Sequence, residues 1–262
     1  MARSNSSYHN LAAALSPVVF ARSLGIKPDP WQQEVLRSNS KRIILNCARQ
    51  TGKSSVAAIL ALHRALFFDK SMVIIISHTL QQASETFRNC RDYYRQIARP
   101  VLSITESAHK LELQNGSRIV TLTGLRPDSI RGFSNVSLLI IDEAAQVPDE
   151  SYQTARPMVA VSGGRIILLS TPYGKLGFFF EAWQYEGEWL KVEVNADQCP
   201  RITPEFLAEE RKKYPEWFFR QEYCCEFHDR ITSVFRRDAI DRAFKNRPGL
   251  SLSFLDDTED IM

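Results

Sequence analysis

Four short runs, RIILNC (42–47), MVIIIS (72–77), VSLLIID (136–142) and RIILLS (165–170), are apolar at successive rather than alternate positions. A strand with one face in water alternates. A strand apolar throughout must be buried on both faces, the condition of a parallel sheet covered by helices on either side. Between the runs lie stretches of helical spacing. In KSSVAAILALHRALFF (53–68), Val56, Leu60, His63 and Phe67 recur at that spacing. Thr79 with Gln82 has the form of a capping box, opening a helix expected to run to about Arg99, where Pro100 ends it. This order predicts an α/β fold with a mainly parallel sheet and helices on both faces. KLELQNGSRIVTLTG (110–124) alternates on both sides of Asn115-Gly116 and predicts a hairpin closed by a type I′ turn.

A length of 262 residues suits one large domain or a domain with a small appendage. The apolar runs are far shorter than the roughly 20 residues that span a bilayer. The N-terminus, MARSNSSYHNLAAALSPVVF, lacks the apolar block and cleavage site of a signal peptide, so no membrane association is expected. A net charge of +3 is too weak by itself to argue nucleic-acid binding. The five cysteines (Cys47, Cys90, Cys199, Cys224 and Cys225) are odd in number and form no C-x-x-C pair, so they read as reduced thiols in an intracellular protein. His63, His78, His109 and His228 show no metal-ligand spacing. After Gly174 the texture changes. Residues 178–230 are rich in aromatic and charged residues and read as a small helical subdomain, and 236–262 begin basic, end acidic and read as a linker or tail. The expected organisation is a domain over 1–235, with its core at about 28–177 and a lid-like part at about 178–235, followed by the tail.

The chemistry centres on NCARQTGKSS (46–55). It ends like a phosphate-binding loop, G-x-x-x-x-G-K-[ST], but Cys47 stands where the first glycine should be. A strand precedes it and a helix follows, as such a loop requires. Its backbone N–H groups and the helix N-terminus would then form an anion nest. Gly52 would allow close backbone approach, Lys53 would reach the β- and γ-phosphates of ATP, and Ser54 would ligate Mg²⁺. A second site follows another apolar strand: Asp142 would hold Mg²⁺, directly or through water, and Glu143 would orient and deprotonate an attacking water. Ser170 and Thr171, before Pro172, end a further strand, where their hydroxyls can sense the γ-phosphate or simply make a turn. Trp31 and Gln32 offer an aromatic face and an amide to an adenine ring. On its own Trp31 reads as core.

Together these motifs resemble the ATPase domain of the large terminase subunit of tailed bacteriophages. That family's phosphate loop is a deviant Arg-Gln-x-G-K-[ST], matched by Arg49, Gln50, Thr51, Gly52, Lys53 and Ser54, so Cys47 is no departure. Its acidic motif is matched by Ile141-Asp142-Glu143-Ala144, its coupling motif by Ser170-Thr171-Pro172, and its adenine motif by Trp31-Gln32. An Arg-Gly pair upstream of the acidic motif is matched by Arg131-Gly132, and a Q-E-Y-x-x-E-F segment by Gln221 to Phe227. The resemblance covers about residues 28–235. It implies a P-loop NTPase of the ASCE, RecA-like class with a helical lid. It also implies hydrolysis of Mg²⁺-ATP to translocate double-stranded DNA into a procapsid, a homo-oligomeric ring, portal and small-terminase partners, and the cytoplasm of an infected bacterium. Arg131 would be a trans finger reaching a neighbour's ATP, unless it is an ordinary surface loop arginine. Arg49, inside the loop, would stabilise transition-state charge in cis.

One departure matters. Large terminases usually continue into an RNase H-like nuclease. Asp238, Asp241, Asp256, Asp257, Glu259 and Asp260 are too closely bunched to come from separate strands of such a fold. Either the chain is an isolated domain or the nuclease is encoded elsewhere, and no nuclease activity is expected of it. Arg88, Arg91, Arg95 and Arg99 share a helix face that would touch DNA phosphates, meet a neighbouring subunit or stay solvated. Lys212, Lys213, Arg236, Arg237 and Arg242 pose the same question. A helicase-like fragment is an alternative, but it would need a second motor domain. A non-hydrolysing nucleotide-binding scaffold is another, but it has no use for Glu143 as a base.

Overall fold

The computed structural model describes residues 11–97 and 100–229. Arg99, Arg236, Arg237, Arg242 and the acidic group from Asp238 to Asp260 lie outside them. The four continuous apolar runs form strands: β1 (Arg42–Cys47), β2 (Met72–Ser77), β6 (Leu138–Asp142) and β7 (Arg165–Ser170). With β3 (Ser103–Glu106), β4 (Lys110–Leu113), β5 (Arg118–Thr123) and β8 (Leu190–Val194) they make one eight-stranded sheet, ordered β3-β4-β5-β2-β6-β7-β1-β8. From β5 to β8 all pairings are parallel, while β3 and β4 add an antiparallel edge.

The strands are apolar throughout because both faces carry core. Ile43, Leu45, Val73, Ile75, Ile140 and Leu169 point into one cluster with helices α1 (Pro17–Ser23), α2 (Pro30–Arg37), α3 (Lys53–Phe67) and α4 (Leu80–Gln96). Their neighbours Ile44, Ile74, Ile76, Ile141 and Leu168 point into a second cluster on the other face. There α5 (Pro127–Ile130), α6 (Asp149–Ala155) and α7 (Gly177–Gln184) cover the sheet. Successive side chains leave a strand on opposite sides, so only an unbroken apolar run fills both layers. α4 begins with the expected capping box: Thr79 Oγ1 accepts from Gln82 N at 3.3 Å and Gln82 Oε1 from Thr79 N at 3.2 Å. The helix ends at Gln96, short of Arg99.

Two expectations fail locally. The hairpin is present, but its turn is not type I′. Gly116 is left-handed at φ 78° while Asn115 is not, and Gly116 N bonds Leu113 O at 2.9 Å. That is a three-residue loop with glycine at the left-handed position. The Asn115 side chain is otherwise engaged, its Nδ2 donating to Ala65 O at the end of α3 and its Oδ1 accepting from Ser117 N. The region after 178 is also not purely helical. α8 (Pro204–Lys213) and α9 (Glu216–Cys224) are helices, but LKVEV joins the main sheet as β8, beside β1. Its charged alternate residues hid a strand that buries only one face.

Candidate functional site

The phosphate loop leaves the carboxyl end of β1 and enters α3. Cys47 is still strand, its Cα in register with Val194 of β8, and Ala48 N bonds Val194 O at 2.9 Å. An extended residue paired on that side needs no glycine, which explains the missing first one. Burial pushes the Cys47 thiol up to about 12, against the pull of Lys53, so it stays neutral. The chain then turns through two left-handed residues, Gln50 (φ 59°) and Gly52 (φ 91°). Glycine is favoured at position 52 by its left-handed φ. A Cβ there would also meet Gln32 Nε2 at 2.8 Å. Thr51 is buried, its hydroxyl donating to Ala48 O at 3.0 Å.

Across β7, the strand between β1 and β6, lies the acidic pair. Ser54 Oγ donates to Asp142 Oδ2 at 3.2 Å, and the hydroxyl of Thr86 on α4 donates to the same oxygen. Lys53 Nζ stands 3.2 Å from Glu143 Oε1, and Ser170 Oγ donates to Glu143 Oε2 at 3.4 Å. Burial holds the Asp142 carboxyl above its usual range, and Glu143 adds to that while Lys53 opposes it. Burial disfavours the Lys53 ammonium, but the Glu143 and Asp142 carboxylates outweigh it and hold its pKa above normal. Glu143 itself is left-handed at φ 50°, a conformation a non-glycine residue adopts at a cost. It aims the carboxylate back across the strand ends toward Lys53. Thr171 and Pro172 are buried just beyond Ser170.

The adenine-side residues divide. Gln32 is buried, caps α2 through Asp29 N at 2.9 Å, and lies against Gly52. Trp31 packs half-buried on the larger core, and its indole N–H is buried without an acceptor among the described residues. Arg49 leaves the loop to pair with Glu222 of α9, and Arg49 N bonds Glu222 O at 3.3 Å. The same segment is pinned by Asn46 Nδ2 to Cys225 O at 2.8 Å. The QEYCCEF motif is thus a brace on the phosphate loop. Arg131 stands apart. It follows α5, is 66% exposed, and its ion pair among the described residues is a 3.7 Å approach to Asp128. On the basic face of α4, Arg88 pairs with Glu85, Arg95 with Glu106, and Arg91 donates to Ser107 O at 3.0 Å.

Sequence reasoning missed Thr86 and Arg201. Arg201, between β8 and α8, grips both Asp29 oxygens at 3.2 and 2.9 Å and donates to Thr51 O at 2.9 Å. It ties the cap of α2 to the phosphate loop. No motif surrounds either residue, and only the folded chain brings them in. All five cysteines are free, and no group of three or more His, Cys, Asp or Glu among the described residues can hold a metal. No helix among them is long and apolar enough to cross a membrane.

Known proteins share this architecture. The family model for the terminase large subunit, T4likevirus-type, N-terminal part, matches residues 44–242. The terminase large subunit of Thermus virus P23-45 is 28% identical over 256 residues, 82% of this chain and 52% of that protein. That of Escherichia phage T5 is 25% identical, over 89% of this chain and 55% of that protein. The chain thus spans about half the length of these relatives. The large terminase ATPase domain of Thermus phage P74-26 superposes with a TM-score of 0.71 at 26% identity, over 80% of this chain and 97% of that one. The large terminase of another thermophilic bacteriophage, in complex with ATP-gamma-S, gives 0.59 at 16% identity, over 82% of this chain and 52% of that one, a likeness of fold.

Proposed function

From the premise that the chain belongs to the terminase large subunit family, we propose that it is a packaging-motor ATPase, hydrolysing Mg²⁺-ATP to drive double-stranded DNA into a procapsid. The observation that carries this is the convergence of Lys53, Ser54, Asp142 and Glu143 at the carboxyl ends of β1 and β6. A binding scaffold needs the lysine and the hydroxyl. It does not need a second carboxylate strained into a left-handed turn.

Lys53 and the loop N–H groups would bind the β- and γ-phosphates. Ser54 and Asp142, an oxygen pair 3.2 Å apart, fit a hard divalent cation and would hold Mg²⁺. When bound, that ion neutralises charge on the phosphate oxygens. In the present geometry Glu143 is occupied by Lys53. A γ-phosphate that draws the ammonium away frees the carboxylate to take a proton from water, with the Ser170 hydroxyl steadying its other oxygen. Arg49 would act in cis on exchanging Glu222 for phosphate. Gln32 would read the base from its place against Gly52, and Trp31, half-buried on the core, would offer its aromatic face to the same ring. Arg131, exposed and weakly held, would complete a neighbour's site in a ring of copies. Portal and small-terminase partners, and the host cytoplasm as the place of action, follow from the same reading.

The test is ATPase rate against protein concentration. The wild-type specific rate is expected to climb, and Arg131→Ala to stay flat and about 10³-fold lower at the top of the range. Equal, concentration-independent rates would remove the shared-site mechanism.

A further inference from the structure

At the opposite end of the strands, under the amino ends of β1 and β7, lies a cavity of about 620 Å³ lined by Arg37, Lys41, His63, Arg64, Phe68 and Arg165, with no carboxylate among the described residues of its wall. Arg37 closes α2, Lys41 precedes β1, Arg165 opens β7, and Arg64 is in the last turn of α3. Among the described residues none of these four cations has an ion-pair partner. Three have uncharged acceptors. Arg37 donates to Gln33 Oε1 at 3.0 Å, Lys41 to Gly163 O at 2.5 Å, and Arg165 to Ser40 O and Ser38 O at 3.1 and 3.0 Å.

Arg64 is the exception. Its guanidinium lies 4.3 Å over the Phe68 ring, and its buried Nε has no acceptor among the described residues. Burial pulls the pKa of Arg64 down, and burial followed by the neighbouring Arg64 does the same to Arg165. A guanidinium does not give up its proton in a protein. The cavity therefore keeps its positive charge and a set of unused donors. The carboxyl-end dipole of α3 offsets only a fraction of that charge. Fork-shaped donors without a carboxylate match the oxygens of a phosphate.

We propose that this cavity is a phosphate-binding site that takes the phosphodiester backbone of the duplex, an inference that rests on the motor reading above. A duplex presents a charge about every 1.7 Å of its length, and backbone contacts of this kind need cations rather than shaped pairing. The placement adds a mechanical consequence. Arg64 is eleven residues along α3 from Lys53, a rise of about 16 Å. Nucleotide phosphate and duplex phosphate would grip the two ends of one helix.

The test uses the full chain, a duplex of about 30 base pairs read by fluorescence anisotropy across about 50 to 200 mM salt, and inorganic phosphate and poly-glutamate as separate probes. The variants are Arg64→Glu and, on the rim, Arg37→Glu with Lys41→Glu, each checked for wild-type circular dichroism and duplex-free ATPase rate. Expected is a log–log salt slope shallower by about 1 for the single variant and about 2 for the double, with affinity lower by about tenfold or more in the double. Wild-type duplex affinity and slope in both variants would overturn the site while leaving the motor reading standing. If only phosphate binding is lost, the cavity is a free-phosphate site, and if only poly-glutamate binding is lost it takes an acidic protein segment. Either result rejects the duplex. A wild-type chain that hydrolyses ATP but binds no duplex rejects it too.

Discussion

The two ends of α3 solve the same problem in opposite ways. At its start Lys53 is buried and charged, and two carboxylates hold it so. At its end Arg64 is charged and partly buried in a wall with no carboxylate among the described residues, beside an aromatic face and three further cations. The first end is closed: its buried ammonium is answered by carboxylates within the fold. The second end is open and gains stability only when an anion arrives from outside. A rigid helix joins them, so whatever loads one end is mechanically connected to the other. Matched buried charge marks a site that reorganises its own partners; unmatched charge marks one that expects a visitor.

The largest effect should come from breaking the matched end at its base. Glu143→Gln keeps shape and hydrogen bonding but cannot take a proton. ATP should still bind, with kcat falling by roughly 10²- to 10⁴-fold, measured as steady-state turnover beside nucleotide titration. Turnover at the wild-type rate would remove Glu143 from the chemistry.

Next is the pairing itself. Lys53→Met leaves Asp142 and Glu143 facing each other without a cation, and a broken buried pair costs about 3–5 kcal/mol. Asp142 already has a pKa raised by burial, and losing Lys53 raises it further. A raised carboxyl binds its proton more tightly folded than unfolded, so stability grows as pH falls through the folded value. The variant should therefore recover stability on mild acidification, beginning at a higher pH than the wild type, as denaturant melts across pH would record. A parallel pH profile would mean the carboxylates do not feel the lysine.

How much of this was readable beforehand follows the same division. The strands of β1, β2 and β7 were legible to the residue, because an apolar run of six residues rich in isoleucine is too short for a buried helix and fits a strand covered on both faces. The convergence of Lys53, Ser54, Asp142 and Glu143 was legible because both motifs sit at the carboxyl ends of strands in the sequence pattern. β8 was not: Lys191 and Glu193 are the alternate residues of an edge strand, and PEFLAEERKKY drew the eye to helix. Thr86 and Arg201 were invisible since they act from elements with no motif, at contacts far apart in sequence. The cavity cations were also in plain view, but scattered over Arg37, Lys41, Arg64 and Arg165, with nothing to say they converge.

Arg201 sharpens the comparison from the side, as the link that keeps the matched end in shape. It joins the Asp29 cap to Thr51 O. Arg201→Ala should raise KM for ATP about tenfold, the worth of one charge-assisted bond, while kcat changes by less than about twofold. Arg201→Lys should restore part of that, having the charge without the fork. A fall in melting temperature with KM unchanged would make Arg201 a structural staple only.

The smallest effect, and the most telling, is at the unmatched end. If Arg64 is a cation held in readiness, the free protein gains little from it. Arg64→Met keeps an unbranched apolar stem of similar reach, gives up the guanidinium that lies over Phe68, and removes the charge that burial disfavours. The variant should then be as stable as wild type or more so, by up to about 1 kcal/mol, since replacing a poorly compensated buried charge by an apolar chain of similar volume is often neutral or favourable. That sign is opposite to the one expected for Lys53→Met, at the other end of the same helix. The two substitutions remove the same charge and add the same side chain, so chemical denaturation of the pair isolates the surroundings. If Arg64→Met destabilises as Lys53→Met does, Arg64 has a counter-charge within the fold, and the open end is closed after all.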